Sequence, residues 1–215
     1  LTVQSASSRG VWLRAGSPSL DTVRVISSGS YGVYVDEAAS PVLRSCVIRN
    51  SGSYGVYVRN TSPGRTLSLT NCTLSSNYYG VYSNASSGNA ATITIKSSII
   101  TGASYGLYRS DAATYSVTHS NVWGNSTNYN GVSPGVGTIS QNPLYVSSTD
   151  LRLTSNSPSR FAAEGGGDQG ALPYDVVPTP GLHGVLWENT TLTLAGSPYT
   201  VAGDLTVAPN VTLTI

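Results

Sequence analysis

The chain has 215 residues, enough to bury a large core as one domain or one and a half. Charged residues are 10% of it, far below the ~25% of ordinary globular proteins, and Lys96 is its only lysine. A net charge of +1 gives no electrostatic footprint for nucleic acid or an anionic membrane, and no apolar run approaches the ~20 residues of a membrane span. The sequence opens without Met or a signal peptide and stops at Val211–Ile215 in mid-alternation, so the expectation is a segment of something larger.

In chain order, Arg9-Gly10-Val11-Trp12-Leu13 is followed by Ser30-Tyr31-Gly32-Val33-Tyr34-Val35, which returns letter for letter from Ser53 to Val58. Tyr79-Gly80-Val81-Tyr82 and Tyr105-Gly106-Leu107-Tyr108 are later copies, and Asn130-Gly131-Val132 reads as a worn last one. The glycines at 10, 32, 55, 80, 106 and 131 are spaced by 22, 23, 25, 26 and 25 residues, the period of a solenoid whose units bury apolar faces against their neighbours. Between the copies run short alternating stretches such as Val42–Ile48, punctuated by Gly, Asn, Ser and Pro. Period two with turn residues predicts strands, three short ones per coil, and no window has helical periodicity.

The aliphatic residue after each repeat glycine (Val11, Val33, Val56, Val81, Leu107, Val132) should point inward, and the next one outward. Trp12, Tyr34, Tyr57, Tyr82 and Tyr108 then form an outward aromatic column, rising ~4.8 Å per coil. Three roles stay open for it: strengthening the ladder, packing on another chain, or forming a platform for sugar rings. A second column, Tyr31, Tyr54, Tyr79 and Tyr105, sits beside a bend, where the sequence leaves its direction undecided. Arg14, Asp36 and Arg59 align as a structural charge ladder with Asp36 between two arginines. Cys46 and Cys72 occupy one station on consecutive coils, with Val23, Ser98 and Ser120 at the equivalent places, and read as a buried thiol ladder or as a disulfide between coils.

These repeats resemble the right-handed parallel β-helix of the pectate-lyase-like superfamily, of the kind found as modules in large secreted bacterial surface proteins. The likeness covers 1–140. Asn142-Pro143-Leu144-Tyr145-Val146, Asp150-Leu151-Arg152-Leu153, Ser157-Pro158 and Asp168-Gln169-Gly170-Ala171 resemble the closing segment of such proteins, over 141–175, which implies a final coil folded over the end. Asn142 departs from that pattern, standing where Asp is usual. Residues 176–184, with Pro178 and Pro180, read as a linker, and 185–215 as the opening strands of a second β module.

A polysaccharide lyase of this kind would need clustered carboxylates for Ca²⁺ and a base, and a hydrolase a facing pair. The ten acidic residues are scattered; Glu37 and Asp111 share a column three coils apart, and His119 and His183 stand alone. No catalytic residue, metal or cofactor is therefore expected. The expected function is an extracellular structural or adhesive module of a surface protein or filament, joined to other copies or neighbouring modules through open solenoid ends. The alternative is a carbohydrate-binding or polysaccharide-degrading member of the same superfamily.

Overall fold

The computed structural model describes residues 1–60, 63–85, 90–110 and 112–215. Among these, the strands of the first 130 residues form three parallel sheets, which the chain visits in rotation. The first sheet holds Thr2–Gln4, Arg24–Ile26, Val47–Arg49, Thr73–Ser75, Ile99–Thr101 and Asn121–Trp123. The second holds Arg9–Gly16, Tyr31–Ala39, Tyr54–Asn60, Tyr79–Ala85, Tyr105–Arg109 and Thr127–Asn130, and the third Ser19–Asp21, Val42–Arg44, Thr66–Thr70, Thr92–Lys96 and Thr114–Thr118. Because every pairing is parallel and joins neighbouring coils, like residues stack in register. Val25, Ile48, Leu74, Ile100 and Val122 form one inward stack. Leu20, Leu43, Leu69, Ile95 and Val117 form the next. Val11, Val33, Val56, Val81 and Leu107 complete the core. Each fully buried aliphatic contributes roughly 1.5–3 kcal/mol, and no polar core group interrupts these three stacks.

Two sharp corners per coil set the side chains between sheets. At the corner from third to first sheet, Thr22, Ser45, Asn71, Ser97 and His119 each take a positive φ, between 46° and 54°. That region disfavours residues with a Cβ, and Asn and Ser relieve the cost with short polar side chains. The next residue in each case, Val23, Cys46, Cys72, Ser98 or Ser120, then turns inward. Ser98 shows what this corner requires: its Oγ donates to the Lys96 carbonyl (2.8 Å) and accepts from the Cys72 N–H (3.0 Å) of the preceding coil. At the other corner Asn77 accepts from the Ser51 N–H (2.9 Å) and donates to the Ile48 carbonyl (3.1 Å), and Asn125 repeats the arrangement on Ala103 and Ile100.

The last coil departs from the sequence reading. Leu107 pairs with Tyr129 and Tyr108 with Asn130, so Thr127–Asn130 is the final copy and Gly131, at φ +65°, lies past its end. Tyr129 therefore takes the place expected of Val132; a copy lacking its glycine could not be aligned on glycine spacing.

The stretch 141–175 runs along the flank of the solenoid instead of over its end. Asn121 donates to the Gln141 carbonyl (2.8 Å) and to Ser159 (2.9 Å), Ala171 N–H donates to Thr73 Oγ1 (2.8 Å), and Arg49 reaches the Thr149 carbonyl (3.0 Å). The reason lies in the first sheet, whose outer face carries Val47 and Ile99 as well as Thr73, Thr101 and Asn121. All five are buried, as a sheet covered on both faces requires. After this strap, Val177 and Thr179 bond to Ser155 and Asn156, and a strand begins at Leu182, inside the span read as a linker. Leu182–Leu186 pairs in parallel with Val201–Val207, and Thr190–Thr191 with Leu213–Thr214, so a coiled path resumes.

Candidate binding face: a double tyrosine ladder

The repeat glycine explains the aromatic face. A Cβ on Gly32 would lie 2.5 Å from Ile48 Cγ2 and 2.6 Å from the Gly55 carbonyl oxygen, so this position points into the core and has no room for a side chain. Val33 beside it is fully buried. Two successive inward positions break the alternation of the strand and leave Tyr31 and Tyr34 on the same outer side. Their rings meet edge to face, centroids 4.9 Å apart and planes at 86°. Tyr54 with Tyr57, Tyr79 with Tyr82, and Tyr105 with Tyr108 repeat the pair. The second column thus faces outward, beside the first.

Along each column the rings stack on the coils above and below. Tyr31, Tyr54, Tyr79 and Tyr105 are 5.1–5.2 Å apart and within 15° of parallel. Tyr34, Tyr57, Tyr82 and Tyr108 are 5.1–5.6 Å apart and within 26°. Ring faces therefore cover one another, and the hydroxyl-bearing edges look outward. Trp12 ends the column with a T-shaped contact on Tyr34 at 6.3 Å, and the Arg9 guanidinium lies 4.7 Å from both rings. Tyr34 is buried and Trp12 is exposed, while the other three members of that column are half-buried. Burial raises the phenol pKa of Tyr54 and Tyr79 and pushes Tyr57 up to about 12, so these hydroxyls stay protonated at neutral pH. Each aromatic pair adds about 0.5–1.5 kcal/mol beyond its burial.

The charged residues near this face serve it. Asp36 is buried, accepts from Trp12 Nε1 (3.2 Å) and lies 3.9 Å from Arg59. Arg14 lies over the Trp12 ring at 4.7 Å, and the register shifts between Leu13 and Ala15, because the partner strand has an extra residue there. Cys46 and Cys72 are free, buried thiols at the same corner of consecutive coils. Burial holds the Cys72 thiol well above its ordinary pKa.

Five further carboxylates are held by bases or backbone. Arg152 grips Asp150 (2.6 Å) and Asp175 (2.9 Å), which keeps the Asp150 pKa below the usual carboxylate value. Lys96 pairs with Glu164, Arg44 with Asp21, and Asp168 accepts from the N–H groups of Phe161 and Tyr174. Glu37 lies in the strand Tyr31–Ala39, but its side chain and Asp111 are outside what the structure describes. Among the described residues no group of three or more His, Cys, Asp or Glu could hold a metal ion. His119 forms a corner under the strap, where its carbonyl accepts from Gln169 (2.7 Å). His183 lines a cavity of about 340 Å³ with Gln141, Asn142, Asp204 and Thr206. Sequence reasoning missed this cavity, because strands far apart in the chain form its walls and none of them carries a motif.

Residues 2–92 match the family described as the right handed beta helix region. The coils are those of a right-handed parallel β-helix. No curated protein and no solved structure matches the chain. The β-helix accounts for both aromatic columns: the in-register rise that stacks valine on valine inside must stack tyrosine on tyrosine outside.

Proposed function

We propose that this β-helix is an extracellular structural or adhesive module of a surface protein or filament, presenting a long rigid face and joining other copies or neighbouring modules through its ends. The observation that carries this reading is the orientation of the ladder rings. A platform for sugars needs exposed ring faces, and here each inner ring has both faces covered by its neighbours. The same stacking stiffens the coils. Association through strand edges is supported by Val201–Val207, which pairs with Leu182–Leu186 alone among the described strands and leaves Val201 69% exposed. Such edges favour strand pairing with another chain. Electron microscopy combined with sedimentation over a concentration series tests it: end-to-end fibres or concentration-dependent oligomers are expected, and monomers throughout would overturn it.

A second reading, a carbohydrate-binding or polysaccharide-degrading protein, draws on the cavity at His183 and Asp204, whose mixed polar and apolar lining suits a small polyol. Glycan binding abolished by Asp204→Asn would favour it over the structural role.

A further inference from the structure

We propose that the tyrosine ladder is a site of oxidative modification, in which rings of consecutive coils couple into dityrosine and staple the solenoid covalently. Three observations carry this. The stacked pairs are close and nearly parallel, Tyr57 and Tyr82 at 5.6 Å and 8°, Tyr31 and Tyr54 at 5.2 Å and 8°. With their faces covered, the rings present their outer edges, which hold the hydroxyl and the two flanking ortho carbons, the atoms that react. Phenylalanine would stack equally well at these buried and half-buried positions, yet the chain has 14 Tyr and one Phe, and Phe161 lies outside the ladder. Tyr78 gives an oxidant a point of entry: it is 51% exposed and contacts Tyr79 edge-on at 4.9 Å.

The oxidant is a peroxide acting through a haem peroxidase. Each phenol loses one electron and its hydroxyl proton to become a tyrosyl radical. Two radicals join by a new bond between ortho carbons, and the hydrogens on those carbons shift to the oxygens to restore both phenols. Hydrogen peroxide takes up the two electrons and two protons and leaves as two waters. The link needs no second molecule, so it is separate from any association of copies.

The test treats dilute protein with hydrogen peroxide and a haem peroxidase, then reads intact mass, dityrosine fluorescence and tryptic peptides. Cleavage at Arg44, Arg49, Arg59, Arg65 and Lys96 separates the tyrosine pairs of successive coils. The expected product is a monomer lighter by two hydrogen atoms, its dityrosine joining peptides of adjacent coils, in a yield independent of protein concentration. Changing every ladder tyrosine to Phe should remove this product and leave the melting temperature nearly unchanged. The proposal is overturned by the absence of dityrosine, by links formed only between molecules, by links at Tyr129 or Tyr199 in place of the ladder, or by a product that survives in the Phe variant.

Discussion

Tyr57 and Tyr82 lie face to face across neighbouring coils, ring centroids 5.6 Å apart and planes 8° from parallel, and each also meets Tyr54 edge-on. Tyr57 also stacks on Tyr34 from the other side, so its removal breaks contacts in both directions. We expect Tyr57→Ala to destabilise the solenoid by roughly 2–3 kcal/mol in urea unfolding, and Tyr57→Phe by under about 0.5 kcal/mol. Equal effects from both would show that the hydroxyl, not the stack, holds the ring.

Gly55 separates a steric requirement from a conformational one. A Cβ there would lie 2.7 Å from the Gly80 carbonyl oxygen and 2.8 Å from Asn77 Nδ2. Gly55→Ala should cost more than about 3 kcal/mol or prevent folding, as expected of overpacking against backbone. Gly203→Ala, whose Cβ would meet only His183 Cβ at an ordinary 3.5 Å, should be neutral within about 0.5 kcal/mol. Thermal melts of the two variants side by side give the comparison.

Asn77 is buried and satisfies the Ser51 N–H and the Ile48 carbonyl, two main-chain groups that its loss would strand in the core. Asn77→Ala should cost roughly 2–4 kcal/mol. Hydrogen exchange at the Ser51 amide should quicken by more than at the strands of the first sheet.

Alkali should reach the ladder late. Burial and the neighbouring Tyr34 push the Tyr57 phenol from 10.0 to about 12. Folding thus favours the protonated form, so the stabilisation is complete below the unfolded value of about 10 and is lost as pH rises through about 12. An absorbance titration of tyrosinate should show a delayed ladder fraction and a fall in stability across that window. Titration of all tyrosines together near 10 would contradict it.

Much of the solenoid was legible because the repeat writes its own register. Gly-Val-Tyr sets one residue inward and the next outward, and stacking like residues placed Cys46, Cys72 and Ser98 at one corner. The second tyrosine column was not legible, since strict alternation sends Tyr31 and Tyr34 to opposite faces and only the bend at Gly32 reunites them. The strap was hinted at in Val47-Ile48 and Ile99-Ile100, where adjacent apolar residues mark a sheet covered on both sides, but runs of three residues are too short to separate that pattern from noise. The His183 cavity had no signal, being made of loops and strands that no repeat relates.

A stack of coils that touch only their nearest neighbours can fray one turn at a time. The flank segment changes that: its bonds reach Asn121 at one extreme and Arg49 at the other, tying together coils that never meet. It also lies in the chain between the stack and the strands from Leu182 onward, so tension applied at those strands reaches it before any coil. Pulling on those strands should therefore peel the flank segment before the coils unwind, an order that single-molecule stretching would read as a first step shorter than the unwinding of the stack.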